Sequence, residues 1–322
     1  MLRSTFFTVA YLLLFQALPA QTNYWQKANA PQGISGSYWP GQGDTSFLMH
    51  SLGTVYRSDN RGSSWQELTL WTNNYNELFP GEGGHLFYTV TVANGTSTDN
   101  YLYKTGYDAQ NPDLVHTNCP VYKMKERNDG LLIGASSSGI YRSADGGATW
   151  MEVYDIPFPG SSLEINFWAD GVVSFQPNID VTYLSFDDGL SWITVNASVF
   201  NGKLTRASDG VLYMTGLNTI KKSVDQGATW QVATTGLSFN LNTNSLTELP
   251  NGRLLLASSN RTQFYSDNQG QNWFALTPSS ADRPKNYLKV YDDGLILASN
   301  TNNVLRSTDG GISWSLSDTG TN

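Results

Sequence analysis

Paired carboxylates, runs of cations and flat aromatic rings are the residue types in this chain that could do chemistry. Two adjacent acidic pairs, Asp187-Asp188 and Asp292-Asp293, have the makings of a glycosidase carboxyl pair or of calcium ligands. Both fall in turns of repeated sequence, and their spacing matches no known calcium loop, so they read as structural parts and neither a metal nor a cofactor is expected. Cations gather as Lys123, Lys125 and Arg127, then Lys203 and Arg206, then Lys289. In an acidic protein that concentration could focus a positive field on an anionic ligand, although Glu164 and Glu248, on neighbouring segments of the same kind, are expected to neutralise it as internal ion pairs. Trp71, Tyr75, Phe158 and Tyr287 offer flat apolar surfaces for sugar rings or peptide side chains, or else plug gaps between structural units. Cys119, the only cysteine, reads as a small buried apolar side chain, because no activating base accompanies it.

The elements that must position these residues are short strands. Thirty glycines stand among many Asn, Ser, Thr and Asp, aromatic content is 13%, and long amphipathic patterns are absent, a mixture that favours strands joined by tight turns. Residues 1–20 follow another plan: Arg3, an apolar run from Phe6 to Leu18, then Pro19-Ala20. They read as a signal peptide cleaved before Gln21, which predicts a secreted chain with no membrane span and a single domain over 21–322. The formal net charge of −8 argues against a nucleic-acid partner, since phosphate contacts need clustered Lys and Arg.

Six ten- or eleven-residue segments repeat, ending at Trp65, Trp150, Trp192, Trp230, Trp273 and Trp314. The intervals are 85, 42, 38, 43 and 41 residues, and the first is nearly double, so one copy has decayed; "DNYLYKTGYDA" at 99–109 stands where it should be. Asp129-Gly130, Asp170-Gly171, Asp209-Gly210, Asn251-Gly252 and Asp293-Gly294 lie about twenty residues before a tryptophan and read as hairpin turns. Each unit is thus strand a, an Asp-Gly turn, strand b, a loop, strand c, the repeated turn and strand d. In the final unit these are "NYLKVY", "LILAS", "NVLRS" and "WSLS". Seven such units predict an all-β fold, a seven-bladed β-propeller of four-stranded antiparallel blades. "NYWQKAN" at 23–29 resembles a strand that follows the repeated turn and is expected either to close the ring or to begin an eighth blade.

The repeated turn is a fastener. Its serine and aspartate hydrogen-bond to their own backbone, its glycine takes a conformation that Cβ-bearing residues resist, and its tryptophan returns to bury a large ring against a sheet. Four copies fit S-x-D-x-G-x-[ST]-W in full: Ser143, Asp145, Gly147 and Trp150; Ser185, Asp187, Gly189 and Trp192; Ser223, Asp225, Gly227 and Trp230; Ser307, Asp309, Gly311 and Trp314. Ser58, Gly62 and Trp65 frame Asn60, and Ser266, Gly270 and Trp273 frame Asn268, in place of the aspartate.

This pattern resembles the Asp-box, or BNR repeat, of sialidases, xyloglucan-degrading glycosidases, sortilin-type receptors and photosystem II assembly factors. The resemblance spans about residues 22–318. It implies a propeller, but the sialidase machinery does not carry over. No Arg-Ile-Pro segment occurs, and Arg57, Arg142 and Arg306, which mimic an arginine triad by spacing, each stand directly before a box serine. Xyloglucan-degrading relatives place catalytic aspartates in a cleft between two propellers, which one propeller cannot supply. In a propeller the a–b and c–d turns share one side, so irregular chemistry is expected on the other, in loops such as 70–79, 91–100, 154–164, 258–262 and 277–287. The reading that follows is an exported binding or scaffold module for a glycan, peptide or partner protein, with a sialidase-like glycoside hydrolase as the alternative. The sequons at Asn94, Asn196 and Asn260 could carry N-glycans in a eukaryotic host.

Overall fold

The computed structural model describes residues 38–49, 54–68, 77–94, 97–136, 138–156, 164–168, 170–177, 181–196, 203–216, 219–237, 243–258, 260–277, 283–300 and 303–317. The segments 1–20 and 23–29, together with Trp71, Tyr75 and Phe158, lie outside the described residues. The described residues form seven four-stranded antiparallel sheets in the order a-b-c-d. Blade 1 takes its strands from Tyr38–Pro40, Ser46–Met49, Val55–Ser58 and Gln66–Leu68. Blades 2 to 7 begin with strand a at Glu77–Pro80, Lys123–Glu126, Glu164–Phe167, Lys203–Arg206, Thr243–Glu248 and Asn286–Val290.

Successive a strands lie against one another, and that of blade 7 returns to blade 1, so the sheets stand radially around a channel. Strands b are buried almost without a break, as in Leu132–Ala135 and Leu212–Gly216, because each is covered on both faces by neighbouring blades. The d strands form the exposed outer edge and stay short, which limits pairing with other chains. The ring is closed between blades 7 and 1 by side chains. Ser46 Oγ lies 3.4 Å from Tyr291 Oη, Trp65 Nε1 donates to Ser317 Oγ at 3.4 Å, and Arg61 pairs with Asp293.

The box geometry follows from its residue types. In blade 3 the Ser143 hydroxyl accepts the Gly147 amide at 2.9 Å and donates to Asp145 Oδ1 at 2.8 Å. Asp145 also accepts the Thr149 amide at 2.9 Å and the Thr149 hydroxyl at 2.6 Å. In the box of blade 1, Asn60 keeps the amide contact to Ser64 at 2.8 Å and reverses the side-chain bond, its amide now donating to Ser64 Oγ at 2.8 Å. The residue before the box glycine also takes positive φ, at Arg61 (55°), Asp188 (60°), Gln226 (58°) and Gln269 (54°). Sequence reasoning assigned that conformation to the glycine alone.

These bonds hold the Asp145 carboxyl down at about 2, chiefly through the Thr149 hydroxyl and then its amide. Asp225 is held down at about 2 by the matching Thr229 contacts. A carboxylate whose folded pKa lies below its unfolded value of about 3.9 stabilises the fold above that value and loses the contribution as pH falls toward about 2. The thermal midpoint is therefore expected to drop between about pH 4 and pH 2. The drop should be shallower in Asp145→Asn, which copies the arrangement of Asn60. Melting curves across that range, for both proteins, check this.

The box tryptophans sit at the seams, packed against their own sheets, as Trp314 is against Tyr287, and also against the preceding blade. Trp192 packs on Ile133, Ala135 and Ile140 of blade 3, Trp273 on Tyr213, Ile220 and Ala233 of blade 5, and Trp65 on Val304 of blade 7. Blade 2 has no box. Its c–d turn begins at Tyr107, whose hydroxyl accepts the Gln42 amide at 2.7 Å and donates to Gly81 O, fastening blades 1 and 2 in place of an indole.

The Asp-Gly pairs do form hairpin turns, as three-residue loops: the Arg127 amide donates to Leu131 O at 2.8 Å and the Gly130 amide to Arg127 O at 2.9 Å, with Gly130 at φ 88°. One expectation changes. Segment 91–100, expected as a b–c loop, is mostly strand. The alternating Thr-Val run prolongs the ladder of His85–Asn94 with Ser97–Gly106 until Asn94 faces Ser97, ten residues on each side.

Candidate functional site

The a–b turns and the boxes do share one side: the Asp188 amide in the box of blade 4 donates to Gly171 O in that blade's a–b turn at 3.0 Å. On this box side the expected cationic residues acquire partners. Lys125 Nζ stands 3.5 Å from Glu82 of blade 2 and 6.0 Å from the centre of the Phe167 ring of blade 4. Arg127 pairs with Asp129 at 2.7 Å and with Asp188 of blade 4. Arg206 of blade 5 pairs with Asp170 of blade 4. Lys289 of blade 7 donates to Gly43 O at 2.9 Å and lies 4.7 Å from the centre of the Tyr291 ring; burial lowers its ammonium pKa.

The remaining expected residues are elsewhere. Lys203 and Glu164, at the opposite end of their a strands, form an exposed pair at 3.6 Å. Lys123 begins strand a of blade 3 at that same end, half-buried. Glu248 meets no cation among the described residues; it accepts the Ser208 amide at 2.6 Å and the Ser208 hydroxyl at 3.0 Å, capping the turn of blade 5. Tyr287 is half-buried and its hydroxyl accepts from Gln263 Nε2 at 2.9 Å, so it bridges blades 6 and 7. Cys119 is buried, with its thiol pushed up to about 11. Arg57, Arg142 and Arg306 belong to blades 1, 3 and 7; Arg57 binds Asp59 at 2.7 Å, and Arg142 Nε donates to Asp188 O at 3.0 Å.

Between blades 3 and 4 these pairs frame a cleft of about 450 Å³, lined by Glu82, Arg127, Asp129, Phe167, Trp168, Asp170 and Asp188. Its size falls within the usual range for small-molecule sites. Trp168 and Phe167 give it aromatic walls, and the ion pairs give it fixed donors and acceptors. Arg127 holds the Asp129 carboxyl down at about 2. Sequence reasoning set this side aside as turn scaffolding and did not single out Glu82, Phe167 or Trp168.

It also missed Glu126. This carboxylate is 1% exposed and accepts the Gly83 amide at 3.1 Å and His85 Nδ1 at 2.8 Å. A Cβ at Gly83 would come within 2.6 Å of it. The signal was "PGEGG" at 80–84, a turn that leaves room for a partner from the next blade. Among the described residues no group of three His, Cys, Asp or Glu could hold a metal ion.

The repeated fasteners and the closed ring of seven sheets make this chain a seven-bladed β-propeller with Asp-box-like c–d turns. The BNR/Asp-box repeat family matches at residues 305–316, the box of blade 7. A xyloglucanase from a Paenibacillus species is 25% identical over 360 residues, covering 92% of this chain and 33% of its own length. This chain therefore spans about a third of that relative. Among solved structures, a GH74 enzyme from Niastella koreensis superposes with a TM-score of 0.63 at 15% identity, over 90% of this chain and 55% of that one. Virginiamycin B lyase from Staphylococcus aureus gives 0.58 at 14% identity, over 86% and 93%. At these identities the structural likeness is one of fold. No helix among the described residues is long and apolar enough to cross a membrane.

Proposed function

We propose that this protein is an exported glycan-binding module whose ligand sits in the box-side cleft between blades 3 and 4. An indole and a phenyl ring beside fixed polar groups suit the apolar face and hydroxyl edge of a sugar. The kinship with a xyloglucanase supports a plant-type polysaccharide as the ligand class and an extracellular setting.

A hydrolase is the second reading, favoured by the same relative. Hydrolysis needs one carboxyl that is protonated near neutral pH to donate to the leaving oxygen. The observation that carries binding over catalysis is that the carboxylates of this cleft already have cations: Glu82 has Lys125, Asp129 and Asp188 share Arg127, and Asp170 has Arg206. Calorimetric titration with xyloglucan oligosaccharides, run beside a reducing-end assay, tests this. The expected result is binding without new reducing ends, weakened about tenfold or more by Trp168→Ala. Release of reducing ends that Asp129→Asn or Asp170→Asn abolishes would establish the hydrolase instead.

A further inference from the structure

We infer that the binding surface is an arc of connected clefts around the channel mouth, and that it takes a linear, uncharged glycan several sugar units long. This rests on the glycan-binding reading. The cleft between blades 3 and 4 shares Glu82 and Asn128 with a second, of about 400 Å³, that Pro40, Gly41, Leu288 and Lys289 line where the ring closes. It shares Asp170 with a third, of about 430 Å³, between blades 4 and 5, lined by Phe186, Arg206, Val224 and Gln226. The shared lining residues set each cleft directly beside the next. A single terminal sugar would occupy one cleft and leave the others without use.

The wall chemistry repeats along the arc. Each cleft has an apolar surface: Pro40 and Leu288, then Phe167 and Trp168, then Phe186 and Val224. At each junction stands a carboxylate already tied to a cation, Glu82 to Lys125 and Asp170 to Arg206. A neutral chain can hydrogen-bond to these pairs without breaking them. An acidic sugar would bring its carboxylate against Glu82, Asp129, Asp170, Asp188 and Asp209, with Arg127 and Arg206 both already engaged.

The test is calorimetry on the full chain with β-1,4-linked glucose oligomers of two, four and six units, and with a sialylated trisaccharide. Affinity is expected to rise about tenfold or more from two units to six, as successive clefts fill. Val224→Trp, at a position 71% exposed in the third cleft, should cap the far end and remove that gain. Gln42→Trp, on an exposed residue of the ring-closure cleft, is the independent plug at the other end. Equal affinity for two and six units, indifference of the six-unit ligand to both plugs, or tighter binding of the sialylated sugar would overturn the inference and leave a single-pocket glycan binder. No binding at any length, to any of these sugars or to xyloglucan oligosaccharides, would overturn the glycan reading and the arc with it.

Discussion

Replacing Trp273 with alanine is expected to lower the unfolding free energy by about 3–5 kcal/mol, the range for deleting a large buried aromatic ring. Trp273 is 2% exposed and its ring fills the seam between blades 5 and 6, against Tyr213, Ile220 and Leu254. Its Nε1 donates to Ala233 O of the preceding blade at 2.8 Å, so the substitution also strands a buried carbonyl. Denaturant titration followed by far-ultraviolet circular dichroism measures the loss. Phe274→Ala, one residue along, is the comparison: that side chain is 52% exposed on the outer strand, and its removal should cost well under half as much. Equal losses at the two positions would show that the indole is not what joins the blades.

Gly189→Ala is expected to be the most damaging single methyl group in the boxes, at about 2–5 kcal/mol, from two sources that add. The residue sits at φ 81°, where a side chain is strained, and an added Cβ would stand 2.5 Å from Ile133 Cδ1 of blade 3. Gly252→Ala separates the two contributions. It has the same conformation, φ 82°, but a Cβ there would meet nothing within 4 Å. The Asn251-Gly252 variant should lose only the backbone part, about 1–3 kcal/mol. Thermal melts of the pair give the difference, and a larger loss at Gly252 would contradict the seam geometry.

The parts of this fold that can be read from the chain are those whose partners are close in sequence. Ser143, Asp145, Gly147 and Thr149 close their turn within a few residues, and the same types recur at nearly constant intervals, so both the turn and the blade count are visible. Even blade 2, without a box, shows through the doubled interval from Trp65 to Trp150. Hidden from the sequence are contacts whose geometry needs the ring. Arg61 reaches Asp293 across 232 positions, and Glu126 fits a glycine turn some 43 residues earlier. The clefts draw on residues of several blades, such as Glu82, Asn128 and Trp168, each of which alone looks like an ordinary turn residue. The long hairpin of blade 2 was hidden because a Thr-Val run next to Asn-Gly reads equally well as loop or as strand.

The most direct test of where the ligand sits is amide hydrogen exchange on the intact protein, with and without a saturating xyloglucan oligosaccharide. Protection is expected in the a–b turns at 127–130 and 170–171, together with the box residues 186–188 that face them. Protection confined to the opposite side, at 91–94 and 97–100 of the long hairpin, with those turns unchanged, would contradict the account.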